Sequence, residues 1–340
     1  MYKPTYTLTP KLVNTLSKIE RLYGQLESLR IPRKLELNLE RDNLIRSSYI
    51  SNSIEGNPLS QAEVTNLLLN DRVPANLNEQ EVRNYFDILK NLDTFQNKSL
   101  SIDLITSLHA DLLNRVDHAI AGSIRNKRVV VGGYRKENDR MVFNIKHEPP
   151  AHTKIAIEKQ LHNLNQWYEQ DQQTQLLLKI GSYHHEFVYI HPFEDGNGRV
   201  CRLLTALLFL NAEYAINKYF VLDDYYDIDR PQYSDMLHTA DAGDKTHLLE
   251  YFTEGIYYSL QSAHGRIKTQ VDRLSIEDQP SAREKEVLSL FQEQKELTSS
   301  IISERLDITR QQAHKLLSNL INKGFLKKKG STKNSYYLLK

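Results

Sequence analysis

Along residues 1–115, apolar positions recur at three- and four-residue spacing, which is the period of amphipathic helices. Two segments show this pattern clearly: Leu12, Leu16, Ile19 and Leu22, and then Leu104, Ile105, Leu108 and Leu112. The sequence therefore predicts a mainly helical protein.

The segment RVVVGGYRKENDRMVF, residues 128–143, departs from this period. Three β-branched residues, Val129 to Val131, precede a polar turn, and Met141, Val142 and Phe143 follow it. This pattern predicts one β-hairpin. Because a two-stranded hairpin is marginally stable alone, it should pack on the helical body. A surface hairpin without a role is the alternative.

The composition of the 340 residues, with 40% apolar and 26% charged residues, is typical of a soluble chain with a large core. The single cysteine, Cys201, excludes an intramolecular disulfide and a Cys-rich zinc site, so we expect a reducing, cytoplasmic environment. We expect no membrane association, since no apolar run has the length of a membrane span and the start, MYKPTYTLTPKL, lacks a signal-peptide pattern.

Charge is distributed unevenly. Residues 281–340 carry 12 Lys+Arg against 6 Asp+Glu, whereas residues 1–280 carry 32 against 37. Asp278 and Pro280 favour a break, and Ser281 is a plausible helix cap, so a domain boundary is predicted here.

The stretch HPFEDGNGR, residues 191–199, lies between two apolar segments of helical length. Pro192 disfavours helical backbone at His191, so the first helix should end there. The second helix should begin just after the DGNG loop. Its unpaired backbone N–H groups and its dipole favour an anion at this point.

The side chains at this corner suit phosphate chemistry. Gly196 and Gly198 allow the backbone to approach an anion, and Arg199 and Arg202 project from one helix face, where guanidinium groups match phosphate oxygens.

Two further residues complete this interpretation. Asp195 could hold the magnesium ion that accompanies a polyphosphate, and His191 could act as a general base. Each residue alone is common in turns and helix caps, but the ordered combination favours a functional site.

Other sites are disfavoured by spacing. His184, His185 and His191 with Glu186 lack the HExxH pattern, so satisfied helical histidines are favoured over a metal cluster. The chain has no P-loop and no GxGxxG motif.

The stretch from His191 to Arg202 resembles the signature of the Fic (Fic/Doc) family, His-x-Phe-x-Asp/Glu-Gly-Asn-Gly-Arg-x-x-Arg, at every defining position. The segment GSIRNKRVVVGG, with Gly122 and Arg125, is similar to the family's flap hairpin. RPQYSDMLHTADAGD is similar to the segment that closes over adenine. The resemblance spans roughly residues 40–255.

This resemblance implies transfer of AMP from ATP to a hydroxyl side chain of a protein, with release of pyrophosphate. It assigns His191 as the base on the target hydroxyl, Asp195 as the Mg²⁺ ligand and Arg202 as the γ-phosphate ligand. The α- and β-phosphates would be held by Gly196, Asn197, Gly198 and Arg199.

The same resemblance gives roles to residues around the motif. Phe193 would anchor the loop in the core, and Tyr233 would line the adenine pocket. Asp241 stands where some relatives carry Asn. The flap edge, formed by Val129, Val130, Val131 and Gly132, would border the nucleotide and align the target by strand-like pairing.

A second segment, SNSIEGN at residues 51–57, resembles the family's inhibitory motif through Ser51, Glu55 and Gly56. The helix before it should stop at Gly56, so the charge of Glu55 would oppose the helix dipole. A compensating cation is expected, and Arg202 is the natural candidate. The alternative is an exposed Glu near a helix end. With the Fic motif present, we predict an inhibitory glutamate that competes for Arg202. The same residue could support removal of AMP.

The C-terminal segment resembles a winged helix-turn-helix domain. A helix capped by Thr298 precedes a second helix that ends at Gly324, and Phe325–Leu326 and Tyr336 to Leu339 flank a basic turn. The recognition helix would begin with Arg310, Gln311, Gln312, His314 and Lys315, and Lys327 to Lys329 would meet phosphates. Docking to protein is the alternative to DNA contact.

The sequence thus predicts a Fic-type helical bundle with one β-hairpin flap, plus a small C-terminal winged-helix domain. The expected parts are an N-terminal helical region with the inhibitory helix (1–95), a catalytic core (96–265), a linker (266–280) and the winged helix (281–340).

Two functions are compatible with these features. The first is an ATP- and Mg²⁺-dependent protein adenylyltransferase that has the chain itself as one target and forms a homodimer. The second is a DNA-binding regulator that only senses nucleotide. The intact motif favours the enzyme. UMP or GMP transfer stays open.

Overall fold

The computed structural model describes residues 2–137, 140–215, 218–277, 280–330 and 335–340, which divide into two compact units, Met1–Arg266 and Ile267–Lys340. Most of the described residues are helical, which confirms the predicted fold class. No helix among them is long and apolar enough to cross a membrane.

The elements of the first unit are, in chain order, α1 (Pro10–Glu27), α2 (Arg33–Ile54), α3 (Gln61–Leu69), α4 (Leu77–Lys90), a 3₁₀ turn (Leu92–Phe95), α5 (Ile102–Leu112), β1 (Val131–Glu137), β2 (Arg140–His147), α6 (Lys154–Gln170), α7 (Leu176–Ile190), α8 (Asn197–Asn211), α9 (Asp223–Ile228), α10 (Arg230–Thr239) and α11 (Thr246–Glu277), whose last residues belong to the second unit.

Helix α8 forms the centre of the first unit. Its sequence is apolar on nearly every side, and the side chains from Val200 to Phe209 are buried. Helices α2, α4, α5 and α7 pack around it. The motif loop joins α7 to α8, so the core fixes both of its ends.

The predicted hairpin is present as the antiparallel pair β1–β2. Its first strand begins at Val131, so Val129 and Val130 precede the ladder, and the register shifts between Val131 and Gly132. A side chain at Gly132 would place its Cβ 2.1 Å from the carbonyl oxygen of Asn144, so glycine is required for this pairing. Asn138 and Asp139 of the predicted turn lie outside the described residues.

Helix α11 continues through most of the predicted linker, residues 266–280, as far as Glu277. The reason is that Ile256, Leu260, Ala263 and Ile267 keep helical spacing on a buried face and no proline interrupts the helix before Pro280. The break predicted at residues 278–281 includes Asp278, which lies outside the described residues.

The second unit contains α12 (Ala282–Glu293), α13 (Ser299–Arg305), α14 (Arg310–Asn322), β3 (Leu326–Lys329) and β4 (Tyr336–Leu339). Thr298 caps α13, and Gly324 adopts positive φ just after α14, as the sequence predicts. The two strands pair antiparallel, and the basic turn at residues 331–334 lies outside the described residues.

Arg125 holds the C-terminal end of α7. Its guanidinium, 1% exposed, donates from Nε to the His191 carbonyl (2.6 Å), from Nη2 to the Ile190 carbonyl (3.2 Å) and from Nη1 to the Lys127 carbonyl (2.8 Å). The Ile190 and His191 carbonyls have no partner within α7 because the helix ends there. Arg125 therefore fixes the backbone from which His191 projects.

Replacing Arg125 with Met should lower the free energy of unfolding by about 2–4 kcal/mol, because buried carbonyls would lose charged hydrogen-bond donors. Urea denaturation followed by circular dichroism measures this. The control is Arg128→Met, since Arg128 pairs with Glu148 on the surface and is 67% exposed. Equal losses in the two variants would contradict the capping role.

Candidate active site

The motif loop closes on itself through Asn197. The Asn197 side chain accepts from the Phe193 N–H and donates to the Phe193 carbonyl, both at 2.9 Å. Phe193 is fully buried, as the family resemblance implies. The side-chain amide of Asn197 is already hydrogen-bonded within the loop. Its predicted contact with phosphate would therefore be made by its backbone N–H, in the first turn of α8.

His109 supports this loop from α5, and the sequence did not predict its role. Its ring stacks on Phe193 with centroids 3.7 Å apart. Its Nδ1 accepts from the Gly122 N–H (3.0 Å), so Nε2–H donates to the Asp195 carbonyl (3.0 Å). Burial lowers the pKa of His109 to about 4. The neutral ring therefore makes a hydrogen bond at each nitrogen. His109 belongs to no sequence motif that would have predicted this role.

His191 follows α7 in the left-handed backbone region, with φ 51°. Its Nδ1 lies 3.3 Å from the Val188 carbonyl oxygen, which can only accept, so the proton resides on Nδ1 and the lone pair on Nε2. Burial lowers the pKa of His191 to about 4. The ring is neutral at pH 7, as a general base requires.

Asp195 presents a carboxylate that is 61% exposed at the start of α8. One oxygen accepts from the Gly196 N–H (2.7 Å), and the other lies 3.2 Å from Nη2 of Arg199. Arg199 also lies 3.3 Å from Glu81 of α4, a partner that the sequence did not indicate. The buried Nε of Arg199 has no hydrogen-bond partner among the described residues, so a donor is left for an anion.

Arg202 is buried and bonded to the end of α2. Its Nε donates to the Ser51 hydroxyl (2.7 Å), and its Nη2 donates to the Ser51 carbonyl (2.9 Å) and to Glu55 Oε1 (2.6 Å). Burial opposes the charge, but the Glu55 carboxylate raises the pKa of Arg202 above its ordinary value. The side chains that the sequence paired are thus in direct contact.

The Glu55 carboxylate also lies against the motif backbone. A Cβ added at Gly198 would come within 2.1 Å of Glu55 Oε1. The carboxylate therefore occupies space beside the first turn of α8, where the helix favours an anion.

Arg230 holds the same end of α2 from the far side. It donates to the Ser53 carbonyl (2.8 Å) and hydroxyl (2.9 Å). Its role was not predicted, because nothing in the sequence links α10 to α2.

The remaining predicted residues are Tyr233 and the four residues of the flap edge. Tyr233 is 6% exposed, and its hydroxyl lies 2.9 Å from Nε2 of His184, so it belongs to the core beside the site. Nδ1 of His184 makes a second hydrogen bond, to the Thr205 hydroxyl. Val129 and Val130 precede β1, and Val131 and Gly132 begin it. Their nucleotide contacts stay predictions.

Comparison with protein families matches residues 99–209 to the Fic/DOC family. A protein adenylyltransferase Fic from Nematostella vectensis is 30% identical over 226 residues, which cover 62% of this chain and 48% of the relative. Protein adenylyltransferase fic-1 from Caenorhabditis elegans is 24% identical over 66% of this chain and 42% of the relative. The chain thus spans about half the length of these relatives.

Solved structures show the same fold. A Fic family protein from Desulfovibrio desulfuricans G20 aligns with a TM-score of 0.67 and 23% identity, over 100% of this chain and 98% of that one. Fic-1 from C. elegans aligns with a TM-score of 0.62 and 22% identity, over 76% of this chain and 73% of that one.

The low pKa of His191 predicts acid sensitivity. The unfolded imidazole binds a proton near pH 6.5 and the folded one near pH 4, so this contribution to stability is complete above about pH 6.5 and decreases as the pH falls towards 4. The non-titrating variant His191→Asn should lose less stability on acidification, by about 1.4 kcal/mol per pH unit. Urea denaturation from neutral pH to about pH 4.5 tests this. A wild-type slope in His191→Asn would refute the prediction.

Proposed function

We propose that this protein, which contains a Fic/DOC family domain at residues 99–209, is a self-inhibited enzyme that transfers AMP from ATP to a hydroxyl side chain of a protein. The observation that carries the proposal is one corner of the fold, where a neutral histidine, an exposed carboxylate and two buried arginines surround a helix N-terminus. The names of the relatives, protein adenylyltransferases, support the same reaction.

In the proposed reaction, the target oxygen attacks the α-phosphorus of ATP and the bond to the β-phosphate bridging oxygen breaks, so pyrophosphate leaves. Nε2 of His191 takes the hydroxyl proton, for which its lone pair is available. Arg199 and the backbone N–H groups at the start of α8 stabilise the phosphate charge.

Asp195 fits a magnesium site in which the protein and the bound nucleotide both supply ligands. Mg²⁺ is held by one or two carboxylates, substrate phosphates and water, and the exposed Asp195 carboxylate supplies one such oxygen. Bound there, the ion would supply charge neutralisation for the phosphates. Arg199, which now contacts the same carboxylate, would turn to the phosphates instead.

Self-inhibition follows from the position of Glu55. Its carboxylate pairs with Arg202 and lies beside Gly198. The terminal phosphate of ATP would therefore find Arg202 already paired and would be repelled by the negative charge of Glu55. An ATP molecule displaced by Glu55 would not align its α-phosphorus with His191. Release requires the end of α2 to move, which breaks the contacts to Arg202 and Arg230. The reverse reaction, hydrolysis of the AMP–protein bond, belongs to the same proposal, because Glu55 could position the attacking water.

The flap supports a protein as the target. Met141, Val142 and Ile145 of β2 are 43–64% exposed, so the hairpin offers apolar side chains beside its backbone. Modification of the chain itself, a homodimer and a cytoplasmic location stay predictions.

The second unit favours an accessory DNA contact through its charge. The predicted first residues of the recognition helix, Arg310, Gln311, Gln312, His314 and Lys315, are all exposed on α14. Lys327, Lys328 and Lys329 are exposed on β3. We propose that this surface binds the DNA backbone, and that the unit is the winged helix that the sequence predicts.

Replacing Glu55 with Gly should increase AMP transfer by more than about tenfold, because Arg202 becomes free for ATP. Intact-protein mass spectrometry after incubation with ATP and Mg²⁺ measures the gain of AMP, on the chain itself and on proteins of a cell extract. Glu55→Gln is the matched variant, since it keeps the side-chain length and removes the charge. Glu55→Gly/His191→Ala should remove the gain.

A transfer rate that is unchanged in Glu55→Gly would refute the inhibitory role. Transfer that survives His191→Ala would refute the proposed base. UTP and GTP in parallel reactions identify the nucleotide, and incubation of modified protein without ATP detects removal of AMP.

Replacing Lys327, Lys328 and Lys329 with Ala should weaken binding to duplex DNA and reduce the slope of log affinity against log salt by about 2–3, because three phosphate contacts are lost. Fluorescence anisotropy with a labelled duplex measures both quantities. The control replaces three exposed lysines of the first unit, Lys34, Lys90 and Lys154. Equal effects in both triple variants, or no binding by the wild type, would contradict the DNA contact.

A further inference from the structure

A cluster of three ligand atoms lies at the base of the flap, outside the motif. Nδ1 of His147 and Nδ1 of His238 each lie 3.0 Å from Oδ2 of Asp241, and the three atoms are within 4.8 Å of one another. In a tetrahedral zinc site with bonds of about 2.1 Å, ligand atoms are about 3.4 Å apart. The cluster therefore has nearly the spacing of a metal site.

The other ring nitrogen of His147 fixes which atom faces the cluster. Nε2 lies 2.9 Å from the Tyr189 carbonyl oxygen, which can only accept, so Nε2 carries a proton. In a neutral ring Nδ1 then has a lone pair directed at a carboxylate oxygen. Such an arrangement is repulsive unless a cation lies between them, either a proton or a metal ion. A carbonyl bonded to the far nitrogen is the usual support of a metal-binding histidine.

The Asp241 carboxylate is oriented in a similar way. Lys245 donates to Nδ1 of His185, so Nε2–H of His185 donates to Oδ1 of Asp241 (3.0 Å). Lys245 is itself held by Glu186 (3.1 Å). Because Oδ1 is bonded to His185, Oδ2 is left to face the two imidazoles of His147 and His238.

We propose that His147, His238 and Asp241 form a binding site for a divalent transition-metal ion of the zinc class. Two imidazole nitrogens and one carboxylate oxygen suit such an ion. The side chains of His238 and Asp241 are 18% and 23% exposed, so the ion has an entry path and room for a water ligand. The site is separate from Asp195 and does not depend on the proposed AMP transfer.

The ion would join the end of β2 to the C-terminal end of α10 and the residues that follow it. His147 is the last residue of β2, His238 lies in α10, and Asp241 follows α10. Through the Tyr189 carbonyl and His185, the cluster also contacts α7, which carries the motif loop. Metal binding would therefore fix the base of the flap relative to the helix that ends at His191.

The test is a Co²⁺ titration of tag-free full-length protein stripped with chelator, because visible ligand-field bands report both stoichiometry and coordination. We expect one Co²⁺ per chain, displaced by Zn²⁺, with the same bands in Asp195→Asn. Replacing His238 with Ala should weaken binding by more than about tenfold. His162→Ala, at an exposed position, is the matched control and should bind as the wild type does.

Circular dichroism verifies that His238→Ala folds, and His238→Gln replaces it if it does not. Wild-type protein without bands would overturn the proposal and leave the cluster as an ion pair of protonated His147 with Asp241. Bands that persist in the folded His238 variant, or that disappear in Asp195→Asn, would also overturn it.

Discussion

A guanidinium buried in the core must be paired, and in this protein the pairing of Arg202 connects the motif to the end of α2. Arg202 is 4% exposed, so leaving it without an anion would be costly. Glu55 supplies that anion, and Ser51 supplies two further acceptors. In the proposed reaction, the terminal phosphate of ATP would take the place of Glu55. Under this proposal, competition of two anions for one buried cation would be sufficient for inhibition.

The same corner also sets the orientation and the protonation state of the motif histidine, as its proposed role as a base requires. Pro192 ends α7, and Arg125 donates hydrogen bonds to the carbonyls at the end of that helix. His191 follows the helix with its Nδ1 hydrogen-bonded and the lone pair of its Nε2 available. Burial keeps the ring neutral. Asn197 and His109 hold the loop that follows, so His191 and the N-terminus of α8 keep a fixed separation.

The sequence predicted what local rules control. The end of α7, the start of α8, the flap hairpin and the elements of the second unit follow from proline, glycine, capping and periodicity. The contact between Glu55 and Arg202 was predicted from the charge of Glu55 at a helix C-terminus and from the resemblance to the inhibitory motif.

Long-range partners could not be predicted in this way. Glu81 and Arg230 act through contacts between helices distant in the chain, and a single sequence gives no signal for them. The cluster around Asp241 was missed for the same reason, because its histidines come from β2, α7 and α10. The helical state of most of the predicted linker was not foreseen, since charge and turn residues indicate a boundary but not the length of the preceding helix.

The central claim is that Glu55 excludes the terminal phosphate and not the nucleotide as a whole. Calorimetric titration of wild type and Glu55→Gly with ATP and with ADP, in the presence of Mg²⁺, tests it most directly. We expect the ratio of ATP to ADP affinity to rise by about tenfold or more in Glu55→Gly, while ADP affinity stays nearly constant. An equal gain for both nucleotides, or no gain for either, would contradict the account.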